Sequence, residues 1–181
     1  PDHYCPRPDA QCALRDALLR TSCPTLAITP ATAISGTAGL GKTTIAAWCA
    51  NDPRVWSRFA DAVVWLAFGQ ERTALEMLRS LAEKLGQALT DTERLALRWK
   101  DPSELRGEGE IIDKLRDVLC DKRCLLVLDD VWDERQVAPF KQLCPPTGST
   151  LSLLLTTRLH ELGSMFGELQ PLLPLVDDDA M

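Results

Sequence analysis

The run CLLVLDD at residues 124–130 constrains the fold of this chain more than any other stretch. Its first five residues carry no charged side chain, so the segment cannot alternate between a wet face and a dry one. A strand of that kind belongs inside a parallel sheet with helices on both faces. DAVVWLAF at 61–68 and STLSLLLTTR at 149–158 have the same apolar character over most of their length. The segments between them read as helices. TALEMLRSLAEKLGQ at 73–87 opens on a capping box formed by Thr73 and Glu76, and GEIIDKLRDVLC at 109–120 gathers Ile111, Leu115, Val118 and Leu119 on one face. PDAQCALRDALLRT at 8–21 sets Leu14, Ala17 and Leu18 at helical spacing behind a proline in the first turn. Strands alternating with helices predict an α/β fold, a three-layer sandwich around a central parallel sheet of about five strands. Residues 88–108, with a second capping box at Thr90 and Glu93, read as short helical pieces joined by a mobile loop.

The chain has 181 residues, 45% of them apolar, enough for a single domain to bury a core unaided. Its 20 basic and 26 acidic residues include no long run of lysine or arginine, which argues against a nucleic-acid groove. Seven cysteines at irregular spacings form no CxxC pair and read as reduced thiols of an intracellular, cytoplasmic protein. The longest apolar runs are strand-sized, so neither a signal peptide nor a membrane span is expected. A chain that opens on Pro1 and stops at Met181 soon after an acidic run reads as an excerpt of something longer.

GTAGLGKTT, at 36–44, stands between the apolar segment ATAIS at 31–35 and the helical TTIAAWCA. Gly36, Gly41, Lys42 and Thr43 match G-x-x-x-x-G-K-[ST] in the strand-loop-helix setting that this pattern needs. Glycines let the backbone curl so that the N–H groups of residues from Ala38 through Gly39, Leu40 and Gly41 to Thr44 point at phosphate oxygens, and the next helix adds its positive end. Thr37 lies within the same curl. Lys42 is expected to bridge the β- and γ-phosphates of a nucleotide, and the Thr43 hydroxyl to ligate the Mg²⁺ that bridges them. The fold expected is therefore a P-loop NTPase.

Two adjacent carboxylates leaving an apolar strand need a cationic or polar partner. Asp129 is expected to hold Mg²⁺ at one remove, through the ion's own ligands, and Asp130 to lie where an attacking water would be polarised. DAVVWLAF falls between the loop and LLVLDD in the chain and is expected to separate their strands in the sheet. P-loop ATPases with such an insertion commonly place glutamate beside the Mg²⁺-binding aspartate. Asp130 is one methylene shorter, which weakens a hydrolytic reading. LLLTTR ends in Arg158, placed at the carboxyl end of a central strand, where it can contact a γ-phosphate. The bland alternative is a surface pair with Asp130 or Glu161.

Taken in order, GTAGLGKTT, DAVVWLAF, KRCLLVLDDVWD and GSTLSLLLTTR resemble the NB-ARC family, shared by apoptotic protease-activating factors and plant disease-resistance proteins. The resemblance covers nearly the whole chain. It implies an adenine-side segment and helix at 1–22, a nucleotide-binding domain at 23–170, and at 171–181 the start of a linker to a helical domain. It makes Cys5 and Arg7, in CPRP, candidates for the adenine end. It implies ADP or ATP with Mg²⁺ as ligands, helical and winged-helix domains of the same chain as partners, and oligomerisation of the full-length protein on activation.

Two uses of the site remain open. In an enzyme, Asp130 would orient water and Arg158 would stabilise transferred charge. In a signalling switch of the innate-immune or cell-death type, the same residues would hold ADP at rest and ATP when active, with slow turnover. The shorter Asp130 and the resemblance favour the switch. A small-molecule kinase is less favoured, because Arg94, Arg98 and Arg106 form no phosphate-clamping pattern. Trp48, Trp56, Trp65, Trp99 and Trp132 read as core or interface residues, His3 and His160 as non-catalytic, and Asp177 to Asp179 as a helix start.

Overall fold

A computed structural model describes residues 7–20, 25–30, 39–96, 101, 104–105, 107–144, 151–159, 161–163 and 168–172. In chain order the elements are α1 (Pro8–Arg20), β1 (Thr25–Pro30), α2 (Lys42–Ala50), α3 (Pro53–Arg58), β2 (Ala62–Ala67), α4 (Ala74–Ala88), α5 (Asp91–Ala96), α6 (Glu108–Leu119), β3 (Cys124–Val131), α7 (Glu134–Lys141), β4 (Ser152–Thr157) and β5 (Glu168–Leu172). The five strands form one sheet in the order β2-β3-β4-β1-β5, and every pairing is parallel.

Alternation along the central strands assigns the helices to two faces. Leu125 and Val127 of β3 and Leu154 of β4 pack with Leu14, Ala17 and Leu18 of α1 and with Ile45, Ala46 and Cys49 of α2. The intervening Leu126, Leu128, Leu153 and Leu155 pack with α4, α6 and α7 through residues such as Leu78, Leu81, Ile111, Leu115 and Phe140. Both faces of β3 and β4 are thus dry, as their apolar runs require, and each fully buried leucine contributes about 2 kcal/mol of transfer free energy. The α4 cap is the expected box. Glu76 N–H donates to Thr73 Oγ1, and Thr73 N–H donates to Glu76 Oε2 at 2.8 Å. Thr90 and Glu93 form the second box at the start of α5, with Thr90 N–H donating to Glu93 Oε2 at 2.9 Å.

One expectation is corrected. DAVVWLAF does not separate the phosphate-loop strand from LLVLDD: β2 lies at the sheet edge, and β4 stands between β1 and β3. The burial of the strands gives the reason. All six residues of β4 are buried, whereas β2 alternates and leaves Ala62, Val63 and Trp65 only half-buried. An uninterrupted apolar strand belongs between neighbours, and an alternating one can form an edge. The strand before the loop is β1 at Thr25–Pro30; ATAIS at 31–35 lies outside the described residues. β5 went unread in the sequence because Pro171 interrupts it, which an edge strand tolerates.

Candidate functional site

The carboxyl ends of the adjacent strands β3, β4 and β1 lie along one edge of the sheet, where α2 begins. Gly39 (φ 102°) and Gly41 (φ 76°) both adopt left-handed backbone, which a side chain would strain, and Gly41 caps α2 without any side-chain bond. The first turn of α2, Lys42 to Thr44, therefore presents backbone donors in need of an acceptor. Gly36, Thr37 and Ala38 lie outside the described residues, as does Cys5. Arg7 stands immediately before α1, its carbonyl accepting the Gln11 N–H at 2.9 Å.

Lys42 shares its surroundings with Asp129, Asp130 and Arg158. Burial, followed by the charge of Arg158, pushes its ammonium below the usual lysine range, and the two aspartates oppose that shift. A positive group held at such a cost is one that an anion would stabilise.

Asp129 is buried, with 7% exposure, and its Oδ1 accepts from two hydroxyls: Thr43 at 2.9 Å and Thr156 at 2.6 Å. The Thr43–Asp129 bond joins the start of α2 to the end of β3. A buried carboxylate beside a threonine oxygen is a donor set of the hard-oxygen kind that Mg²⁺ takes. Beyond Leu128 the β3–β4 register slips, since Leu128 pairs with Leu155 while Val131 pairs with Thr157. The extra residue is taken up by Asp130, at φ 54°, whose N–H donates to Thr156 Oγ1 at 2.9 Å.

Arg158 turns back over this corner. Its Nε is 3.6 Å from Asp130 Oδ1, and its guanidinium stands 4.8 Å from the centre of the Trp132 ring. The surface-pair alternative considered for Arg158 is thus the arrangement present, with Asp130 as partner, and it lies within the site. Thr157 fixes the approach of that arginine, its Oγ1 donating to the Val131 carbonyl at 2.8 Å and accepting Leu159 N–H at 3.1 Å.

Behind Asp130, the buried Gln136 joins two loops. Its Oε1 accepts from Trp132 N–H (2.8 Å) and Asp133 N–H (3.2 Å), and its Nε2 donates to the carbonyls of Gly69 and Arg72, both at 2.9 Å. Gly69 N–H in turn donates to the Asp130 carbonyl at 3.0 Å. Gln136→Leu would leave these four backbone groups without their partner. We expect a loss of about 3 kcal/mol, read as a melting temperature lowered by roughly 9 °C. A variant melting within about 1 °C of the parent would show that the clamp contributes nothing.

Thr156 and Gln136 were not singled out from the sequence, and Trp132 was read there only as a core or interface residue. TT in LLLTTR was visible as a hydroxyl pair, but only the bulge shows which hydroxyl faces Asp129. Of the other tryptophans, Trp48 and Trp65 are half-buried against the α1–α2 core, Trp99 lies outside the described residues, and Trp56 is exposed, so of the core and interface readings it does not meet the first. Cys49 and Cys124 are buried thiols pushed up by burial to about 12 and about 11, which favours the protonated thiol.

A parallel α/β sandwich with a glycine-capped helix, a strand-end aspartate pair and a lysine at one edge defines the P-loop class. Residues 13–174 match the NB-ARC domain family, and the chain belongs to that family. Among curated proteins it is similar to the disease resistance protein RGA2 of Solanum bulbocastanum, at 36% identity over 141 residues, covering 76% of this chain and 13% of that protein. A putative disease resistance protein of the same plant, RGA4, is 32% identical over 144 residues, covering 78% of this chain and again 13% of the relative. The chain thus spans about an eighth of the length of the relatives it matches. Among solved structures it resembles a signal transduction ATPase with numerous domains, carrying a tetratricopeptide repeat sensor, from Pyrococcus horikoshii. The TM-score is 0.62 at 16% identity, covering 99% of this chain and 24% of the other, a likeness of fold.

Proposed function

We propose that this domain is the nucleotide switch of a larger signalling protein of the disease-resistance type, holding ADP in a resting state and ATP in an active one. The helix start at Lys42 to Thr44, with the loop from Gly36 to Gly41 ahead of it, would receive the phosphates, and Lys42 would bridge the outer two. Thr43 and Asp129 would hold Mg²⁺, whose chemistry here is to neutralise phosphate charge. Cys5 and Arg7 are assigned to the adenine end. Exchange of nucleotide would change how helical and winged-helix domains of the same polypeptide pack, and through them the assembly of the full-length protein in the cytoplasm.

The observation that carries this reading is the Arg158–Asp130 pair. Both side chains are about 40% exposed and 3.6 Å apart, so the pair contributes no more than about 1 kcal/mol. A charge-assisted bond from arginine to a phosphate contributes about 1.5–3 kcal/mol. Arg158 can therefore leave Asp130 for a γ-phosphate at a net gain, whereas ADP offers it nothing to move to. That difference between two ligands is what a switch requires. Turnover is slow in this reading, because Asp130 is one methylene shorter than the glutamate that commonly orients the attacking water.

The test is Arg158→Ala. Titrations with ATP and ADP should show ATP affinity lowered roughly 10-fold and ADP affinity within about twofold of the parent. Equal losses for both nucleotides, or rapid ATP turnover by the parent chain, would remove the switch reading.

A further inference from the structure

We propose that Thr156 is the positioning residue of the metal side of this site: its one hydroxyl sets the direction of the Asp129 carboxylate and the backbone of Asp130 together. The proposal rests on the reading that the site takes a nucleotide with Mg²⁺.

The bulge in β3 creates the need for such a residue. In a regular parallel ladder the main-chain groups of β3 would be fixed by those of β4. Between Leu128 and Val131 that ladder is broken, and Asp130 is left in left-handed backbone, a conformation unfavourable for a residue with a side chain. On its β4 side the strand end that carries both acids is thus not fixed by the ladder, while on its β2 side the N–H groups of Phe68 and Gly69 still donate to the carbonyls of Asp129 and Asp130.

Thr156 supplies what the ladder does not. It is 1% exposed, its Oγ1 accepts the Asp130 N–H at 2.9 Å, and the same oxygen donates its proton to Asp129 Oδ1 at 2.6 Å. A hydroxyl that accepts from one residue and donates to the next orients both. Thr43 also donates to Asp129 Oδ1, at 2.9 Å, but its oxygen is the one assigned to the metal. Thr156 holds the carboxylate from the β4 side. With Oδ1 occupied by two donors, Oδ2 is the oxygen that would be left for a metal or its waters.

The geometry also explains why a threonine follows three leucines at the end of a fully buried strand. Its methyl group continues the apolar packing of β4, while its hydroxyl has two partners and is therefore not a buried polar group left unsatisfied. Valine would keep the shape and lose both bonds. Serine would keep the bonds and lose the methyl.

The experiment titrates Mg²⁺ into the 181-residue chain in the presence of ATP, following nucleotide affinity by calorimetry, for the parent, Thr156→Val and Thr156→Ser. ATP affinity without Mg²⁺ and the far-ultraviolet circular dichroism are read alongside. We expect Thr156→Val to need roughly 10-fold more Mg²⁺ for the same gain in ATP affinity, with metal-free ATP binding near the parent value. Thr156→Ser should restore the parent Mg²⁺ dependence. Should the valine variant not fold, Thr156→Ala removes the same hydroxyl with less crowding and is judged by the same comparison with serine. Parental Mg²⁺ dependence in the valine or alanine variant would overturn the proposal, as would an equal loss in the serine variant, which would mark the methyl as the part that matters. A parent chain that fails to bind ATP at all would overturn the nucleotide reading before any variant is made, and this proposal with it.

Discussion

Lys42→Ala should lose nucleotide binding by at least about 100-fold for both ATP and ADP while leaving the fold as stable as before. The two halves of this expectation have one physical source. In the ligand-free chain burial and the charge of Arg158 disfavour the Lys42 ammonium while Asp130 and Asp129 favour it, so removing it should change stability little. With nucleotide present, the same ammonium would face the outer phosphates, and each charge-assisted bond it makes is worth about 1.5–3 kcal/mol. A residue that contributes little to stability when the site is empty and supplies affinity when it is filled is a ligand-binding residue. Titration calorimetry and thermal melting on one preparation decide the matter. A variant that binds ATP as the parent does would remove the phosphate-loop assignment. One that loses binding together with a large drop in melting temperature would show Lys42 to be structural.

The sequence made the layers of this fold legible because the signals that define them are local and redundant. Five apolar residues in a row at 124–128 can only be a strand dry on both faces, and the Thr73–Glu76 box marks a helix start whatever packs on it. The order of strands is a different kind of fact. Position along the chain suggested that DAVVWLAF stands between the phosphate-loop strand and β3, yet β4 takes that place. The information was present, but in the contrast between an alternating strand and a continuous one rather than in chain order. β5 shows the opposite difficulty: Pro171 reads as a break, and only its pairing with β1 makes it an edge strand.

The candidate site divides along the same line. Lys42, Thr43, Asp129, Asp130 and Arg158 were legible because each sits at the end of an element whose direction the apolar pattern fixes, and the described structure gathers them at one corner. Gln136 and Trp132 were not legible. Two of the Gln136 bonds are local, to Trp132 and Asp133 in the capping box of α7, but the two that reach the carbonyls of Gly69 and Arg72, more than 60 residues away in the chain, depend on α7 being docked. Trp132 carries no charge, and only the fold of the corner brings Arg158 across its ring. Long-range partners of a buried amide or an aromatic face leave no spacing in the sequence to detect.

Asp129→Asn separates the metal contribution from everything else at this corner. The substitution keeps the shape of the side chain, and the amide oxygen can still accept from Thr43 and Thr156, which lie 2.9 and 2.6 Å from Oδ1 in the parent. The buried hydroxyls are thus left satisfied, and the fold should hold. What is lost is one full negative charge at a position with 7% exposure, where water screens it little. If Asp129 holds Mg²⁺ together with Thr43, directly or through the waters of the ion, the parent should bind ATP more tightly with Mg²⁺ than with a chelator present. The variant should lose roughly 10- to 100-fold of that difference. Metal-free ATP binding should change in the opposite direction, strengthening slightly, because a carboxylate that repels phosphate in the absence of Mg²⁺ has been neutralised. These opposed signs are the useful part of the test. Loss of fold would weaken both measurements alike, and so would general damage to the phosphate loop. Only a carboxylate that faces the metal weakens one and strengthens the other, and a variant with the parent's full Mg²⁺ dependence would place Asp129 outside the metal site.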